Sequence, residues 1–135
     1  MDAAQAIADL TEISSQVEQV AVVGPDGTVL ASTFGDEDRA RSFAEGIARL
    51  VAEADRVREE RGLAGLAQLE AATLDGSVFV VRDGDRLIAA TTKPDPTVGL
   101  VFYDLKHALR SIDDAPAPKK RASRAKKPAE SDAAA

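Results

Sequence analysis

The chain has 135 residues, 44% of them hydrophobic and 30% charged, enough apolar material for one domain with a core. With no Cys it can form neither a disulfide framework nor a thiolate metal site. The net charge of −6 is uneven: residues 1–112 carry 11 Lys and Arg against 19 Asp and Glu, and residues 113–135 carry 6 against 4, so an acidic body precedes a basic segment. Met1 is not followed by a basic and then an apolar leader region, and no apolar run approaches the roughly 18 residues of a membrane span, which predicts a soluble cytoplasmic protein.

The first predicted element is a helix over Asp2–Ser14, capped by Asp2, with Ala4, Ile7, Ala8, Leu10 and Ile13 as its apolar stripe. A strand over Val17–Gly24 follows, rich in β-branched Val. Pro25-Asp26-Gly27 makes a turn into a return strand over Thr28–Thr33, with Pro preset for the second position and Gly for positive φ. Asp36 then caps a second helix running to about Glu60, with Glu37 and Asp38 at the positive end of its dipole. Ala40, Phe43, Ala44, Ile47, Leu50, Val51, Ala54 and Val57 recur at spacings of three and four and give it one continuous apolar face. Three strand-length runs come next, Ala67–Leu74, Ser77–Arg82 and Asp85–Thr92, separated by Asp75-Gly76 and Asp83-Gly84. Asp-Gly between apolar runs signals hairpins with type I′ turns. Val78–Val81 is apolar on successive residues, as suits a central strand covered on both faces. The last helix is expected to open with Asp95 as cap and Pro96 at its first position, and to end near Ser111. Val98, Val101, Phe102, Leu105, Leu109 and Ile112 form its apolar face. After Ile112 no large apolar residue remains, so residues 113–135 are expected to be disordered.

The order helix–strand–strand–helix–strand–strand–strand–helix predicts an α+β domain over residues 1–112: a five-stranded antiparallel sheet with helices on both faces. In that order, Asp9-Leu10-Thr11-Glu12-Ile13, Gly76-Ser77-Val78-Phe79-Val80-Val81-Arg82-Asp83-Gly84 and Thr97-Val98-Gly99-Leu100-Val101 resemble the roadblock (dynein-light-chain, MglB-like) family. The resemblance covers residues 2–112 and implies a homodimer in which second helices pack together and the strands following them pair. It also implies a non-enzymatic adaptor that binds a small Ras-like GTPase. The sequence agrees on two points. The second helix has more apolar length than one sheet face needs, and the strand after it would be an unprotected edge. The expected interface is Phe43, Ile47, Leu50, Val51, Ala54, Leu69 and Ala71.

Other signals point to ordinary structure. There is no phosphate-binding loop, and Gly62 and Gly65 end a helix rather than start one, so a GTPase would be a partner and no cofactor is expected. His107 lacks companion ligands, Asp36-Glu37-Asp38 is explained as a helix start, and Asp83-Gly84-Asp85 lacks the later acidic residue of a calcium loop. Arg39, Arg41, Arg82 and Arg86 read as surface residues, none identifiable as an arginine finger. Lys119, Lys120, Arg121, Arg124, Lys126 and Lys127 can attract nucleic acid, an anionic surface or the acidic body; with no aromatic among them, sequence readout is not expected. Ser123, between Arg121 and Arg124, is a candidate phosphorylation site. Besides the adaptor, two functions fit the sequence: a nucleic-acid-associated protein acting through the basic segment, and a small-ligand sensor.

Overall fold

Three central strands are apolar on both faces, and two edge strands flank them in one antiparallel sheet between two helical layers. The structure is a computed structural model that describes residues 1–113; the basic cluster and Ser123 lie outside them. The elements are α1 (Ala3–Ile13), β1 (Val17–Val23), β2 (Val29–Ser32), α2 (Glu37–Glu60), β3 (Gln68–Thr73), β4 (Gly76–Asp83), β5 (Arg86–Thr92) and α3 (Val98–Arg110). The strand order is β2-β1-β5-β4-β3, so β1, β5 and β4 are central and β3 is an edge. Every paired strand is antiparallel, and Val20 faces Ala90, Ala21 faces Ala89 and Val80 faces Ala89 across the ladders. No helix among the described residues is long and apolar enough to cross a membrane.

Alternation along the strands splits the core in two. Val20, Val22, Phe79, Val81, Ile88 and Ala90 meet Ile7 and Leu10 of α1 and Val101, Leu105 and Leu109 of α3. Phe79 takes an edge contact from Phe102, centroids 5.0 Å apart. On the other face, Ile47 and Val51 of α2 pack on Val80 and Ala89, bordered by Phe43, Leu66, Leu69, Val78 and Leu87. That division explains the unbroken apolar run at Val78–Val81, since each neighbour in it serves a different layer.

Several local expectations shift. The buried stripe of α1 is Ala3, Ala6, Ile7 and Leu10; Ala4 and Ala8 are exposed, and Ile13 is 65% exposed. Both Asp-Gly pairs mark hairpins, but one residue off. Thr73 pairs with Gly76, leaving Leu74 and Asp75 as the loop. Asp83 pairs with Arg86, leaving Gly84 and Asp85. Only Gly84 of those four loop residues has positive φ, +63°, so neither turn is type I′. Gly76 is needed for a different reason: a Cβ there would lie 2.2 Å from the Thr92 carbonyl oxygen. Asp95 is not the cap of α3. It sits at φ +59°, a left-handed conformation that Asp tolerates, and Thr97 takes the cap position with its N–H donating to Gln16 Oε1 at 2.6 Å. The other caps hold: Asp2 accepts from the Gln5 N–H and Asp36 from the Asp38 N–H. The turn between β1 and β2 also holds, with Gly27 at φ +83° and the Asp26 carboxylate accepting from the Thr28 N–H.

Candidate functional site

The group of contacts around the end of α2 begins with how that helix stops. Gly62 has φ +71°, its N–H donates to the Glu59 carbonyl, and the Leu63 N–H reaches the Arg58 carbonyl. These two bonds are a Schellman closure, which needs the left-handed residue that glycine supplies. The chain then reverses over Leu63–Ala67 into β3, and a polar latch fixes the reversal. Arg82 on β4 donates to both Asp55 carboxylate oxygens at 2.8 Å and to the Leu66 carbonyl, from Nε at 3.0 Å and Nη2 at 2.6 Å. Asp55 in turn accepts from the Leu66 N–H at 2.7 Å. Helix, connection and sheet are thereby joined at one ion pair whose side chains are only 27% and 28% exposed. The Arg82 guanidinium and the Leu66 N–H hold the Asp55 carboxyl down at about 2, well below its ordinary 3.8. Gly65 leaves room for this pair, since a Cβ there would come within 3.0 Å of Arg82 Nη2.

The latch sets β3 at the edge of the sheet, beside α2. Leu69 faces Val80 and Ala71 faces Val78, so both side chains lie on the α2 face and are half-buried. The outer row of β3 N–H and C=O groups has no strand beside it among the described residues. Such an edge is a template for another strand. Along α2, Leu50 is 38% exposed and Val57 46%, with the half-buried Ala54 between them. These three stand at spacings of four and three, one stripe along the flank of the helix beside the buried Ile47 and Val51. Leu63, just past the helix, is 48% exposed.

The seven residues expected at an interface therefore divide. Ile47 and Val51 are buried against the protomer's own sheet, Phe43, Ala54, Leu69 and Ala71 are half-buried beside them, and Leu50 reaches the surface. Val57, on the helix, and Leu63, beyond it, are exposed as well. Val57 is visible in the helical spacing, whereas Leu63 has no periodic signal because it lies beyond the helix. The four arginines all have partners: Arg82 in the latch, Arg39 5.7 Å from the centroid of the Phe34 ring, Arg41 on Asp38, and Arg86 on the Ile112 and Asp113 carbonyls. His107 stacks on Tyr103, and Asp83-Gly84-Asp85 is the β4–β5 corner; among the described residues no group of three or more acidic, His or Cys side chains is placed to hold a metal ion.

A family model for the Roadblock/LC7 domain matches residues 4–93, two thirds of the chain and every element through β5. The chain belongs to the Roadblock/LC7 domain family. Solved structures agree on the fold. The Roadblock/LC7 domain from Streptomyces avermitilis superposes with a TM-score of 0.72 at 16% identity, covering 82% of this chain and 94% of that one. Myxococcus xanthus MglB gives 0.63 at 17% identity, covering 78% and 77%. The gliding protein MglB from Thermus thermophilus gives 0.67 at 15% identity, covering 78% and 82%. A search of curated protein sequences finds no match. In this roadblock domain Leu69 of the free edge β3 packs against the cluster that holds Ile47 and Val51 of α2, and that edge with the exposed part of α2 is the candidate interaction site.

Proposed function

We propose that this roadblock domain is a homodimeric adaptor, without catalysis of its own, that presents a two-subunit surface to a small Ras-like GTPase. The observation that carries the reading is the pairing of two liabilities on one side of the molecule: an unpaired β3 edge and the exposed stripe Leu50, Ala54 and Val57 on the neighbouring helix. A two-fold contact covers both at once, because an isologous interface repeats each patch opposite itself. Two copies of β3 then continue one sheet across the dimer, and two α2 helices cross on its face. The GTPase is proposed from family membership and from the resemblance that the sequence carries, because function on a shared fold must be tested at the site.

The test has two stages. Light scattering on the full chain is expected to give twice the 14.2 kDa chain mass. The dimer is then offered purified small Ras-like GTPases from the same organism, loaded with GDP or a non-hydrolysable GTP analogue. Saturable binding that depends on the nucleotide supports the adaptor. A monomer at tens of micromolar, or a dimer that binds no GTPase in either state, removes it.

A further inference from the structure

A second surface, opposite the α2 layer, is unlike the rest of the molecule. A cleft of about 300 Å³ runs between α1 and α3, lined among others by Asp9, Glu12, Ile13, Asp104, His107 and Ser111. Among the described residues no Lys or Arg side chain lines it. The Met1 ammonium lies at its mouth but is occupied, donating to Asp113 Oδ2 at 2.8 Å and to the Ser111 carbonyl at 3.2 Å. Asp9 accepts from Gln5 Nε2 at 2.8 Å. Asp104 is only 8% exposed, lines the cleft, and has no hydrogen bond or ion pair among the described residues. Its carboxylate oxygens still reach the cleft, since Ser14 Oγ is the one fully buried side-chain polar atom without a partner among the described residues, so Asp104 is open to a cation that enters. Apolar surface flanks it: Ile13 is 65% exposed and Tyr103 67%, the latter stacked on His107.

The chain itself brings cations to this place. Its last described residue, Asp113, donates its N–H to the Met1 carbonyl at 2.8 Å, which puts it at the mouth of the cleft. Lys119-Lys120-Arg121-Ala122-Ser123-Arg124-Ala125-Lys126-Lys127 then follows within a few residues. Six residues of extended chain span roughly 20 Å, whereas the nine from Asp104 to Asp113 rise only about 14 Å along a helix. The linker is therefore long enough to reach Asp104. Short tethers also give effective concentrations in the millimolar range. We infer that the basic cluster Lys119–Lys127 docks back into the α1–α3 cleft of its own chain, placing a Lys or Arg against Asp104, with Glu12 and Asp9 around it and Tyr103 under an alkyl stem or guanidinium.

The absence of Cys makes the test direct. A nitroxide is attached to the full chain at Ala122→Cys, and paramagnetic broadening of amide resonances is measured in about 20 mM and about 0.5 M salt, where screening lengths differ several-fold. Docking predicts selective broadening at Glu12, Ile13, His107 and Ser111 in low salt, at least threefold weaker in high salt. The same loss is expected in low salt when Asp104→Asn and Glu12→Gln are combined. Uniform broadening, broadening centred on α2 or β3, or cleft broadening indifferent to salt would overturn the inference. So would equal broadening when isotope-labelled chain without nitroxide is mixed with nitroxide-bearing chain without isotope, because the occupant would then come from a second copy. The salt comparison does not depend on how well the substituted chain folds.

Discussion

Asp55 and Arg82 stand 27 positions apart, and their forked ion pair decides where β3 begins. Two parallel N–H···O bonds, a third and fourth to the Leu66 carbonyl and the return bond from the Leu66 N–H leave no slack in that corner. The Asp55 carboxyl is held at about 2, below its ordinary 3.8. A depressed carboxylate stabilises the fold fully above the unfolded value and loses that contribution as pH falls through 3.8 toward about 2. Asp55→Asn should therefore cost about 1–3 kcal/mol at pH 7, since Arg82 would keep a half-buried charge without its counterion. In urea titrations the gap between the two proteins should narrow as pH falls below 3.8. A gap of the same size at pH 7 and pH 2.5 would show that the latch acts by shape and not by charge. Arg82→Lys should fail to restore stability, because one ammonium cannot fork. Nothing in the sequence singles out this pair. Asp55 is one of many acids on a helix, Arg82 ends a strand among turn residues, and only the folded chain brings them together.

Helix α2 has two working sides, and substitutions should separate them. Ile47 is 5% exposed and packs on Val80 and Ala89, so Ile47→Lys buries a charge in the protomer's own core. It should abolish cooperative melting by circular dichroism. Leu50→Glu with Val57→Glu changes only the exposed strip and should yield a folded chain of half the solution mass. If that double variant stays a dimer, the α2 stripe is not the seam. The sequence reveals the helix and its full apolar width, because residues at spacings of three and four are adjacent whatever they touch. It does not reveal which half of that width faces inward. A similar ambiguity moved the stripe of α1: Ala3, Ala6 and Ile7 compete with Ala4, Ile7 and Ala8, all small or shared, so periodicity cannot choose between them. The start of α3 was hidden for another reason. Its cap position depends on Gln16, a residue of a different part of the chain, while Asp95-Pro96 has every local mark of a helix start.

At the scale of the molecule, the sheet has a closed middle and two open ends, and the ends are not alike. β1, β5 and β4 are paired on both sides and covered on both faces, with Phe79, Ile88 and Val20 at 1% exposure or less. β2 is a four-residue edge, and β3 a six-residue edge beside the exposed α2 stripe. Amide hydrogen exchange can show which end joins a second copy, because an amide on a free edge exchanges by local opening whereas one in a ladder waits for a larger unfolding event. The amides of β1, β4 and β5 should exchange slowest at every concentration. If β3 pairs across a two-fold axis, the outward amides of Gln68–Thr73 should become at least tenfold more protected as protein concentration rises through the dimerisation range, and those of Val29–Ser32 should not change. Protection rising in β2 instead would put the seam at the other end of the sheet and leave the α2 stripe for a different partner. Protection unchanged at both edges, in a sample whose mass is dimeric, would mean that helices alone join the subunits and that the ten strands do not form one sheet.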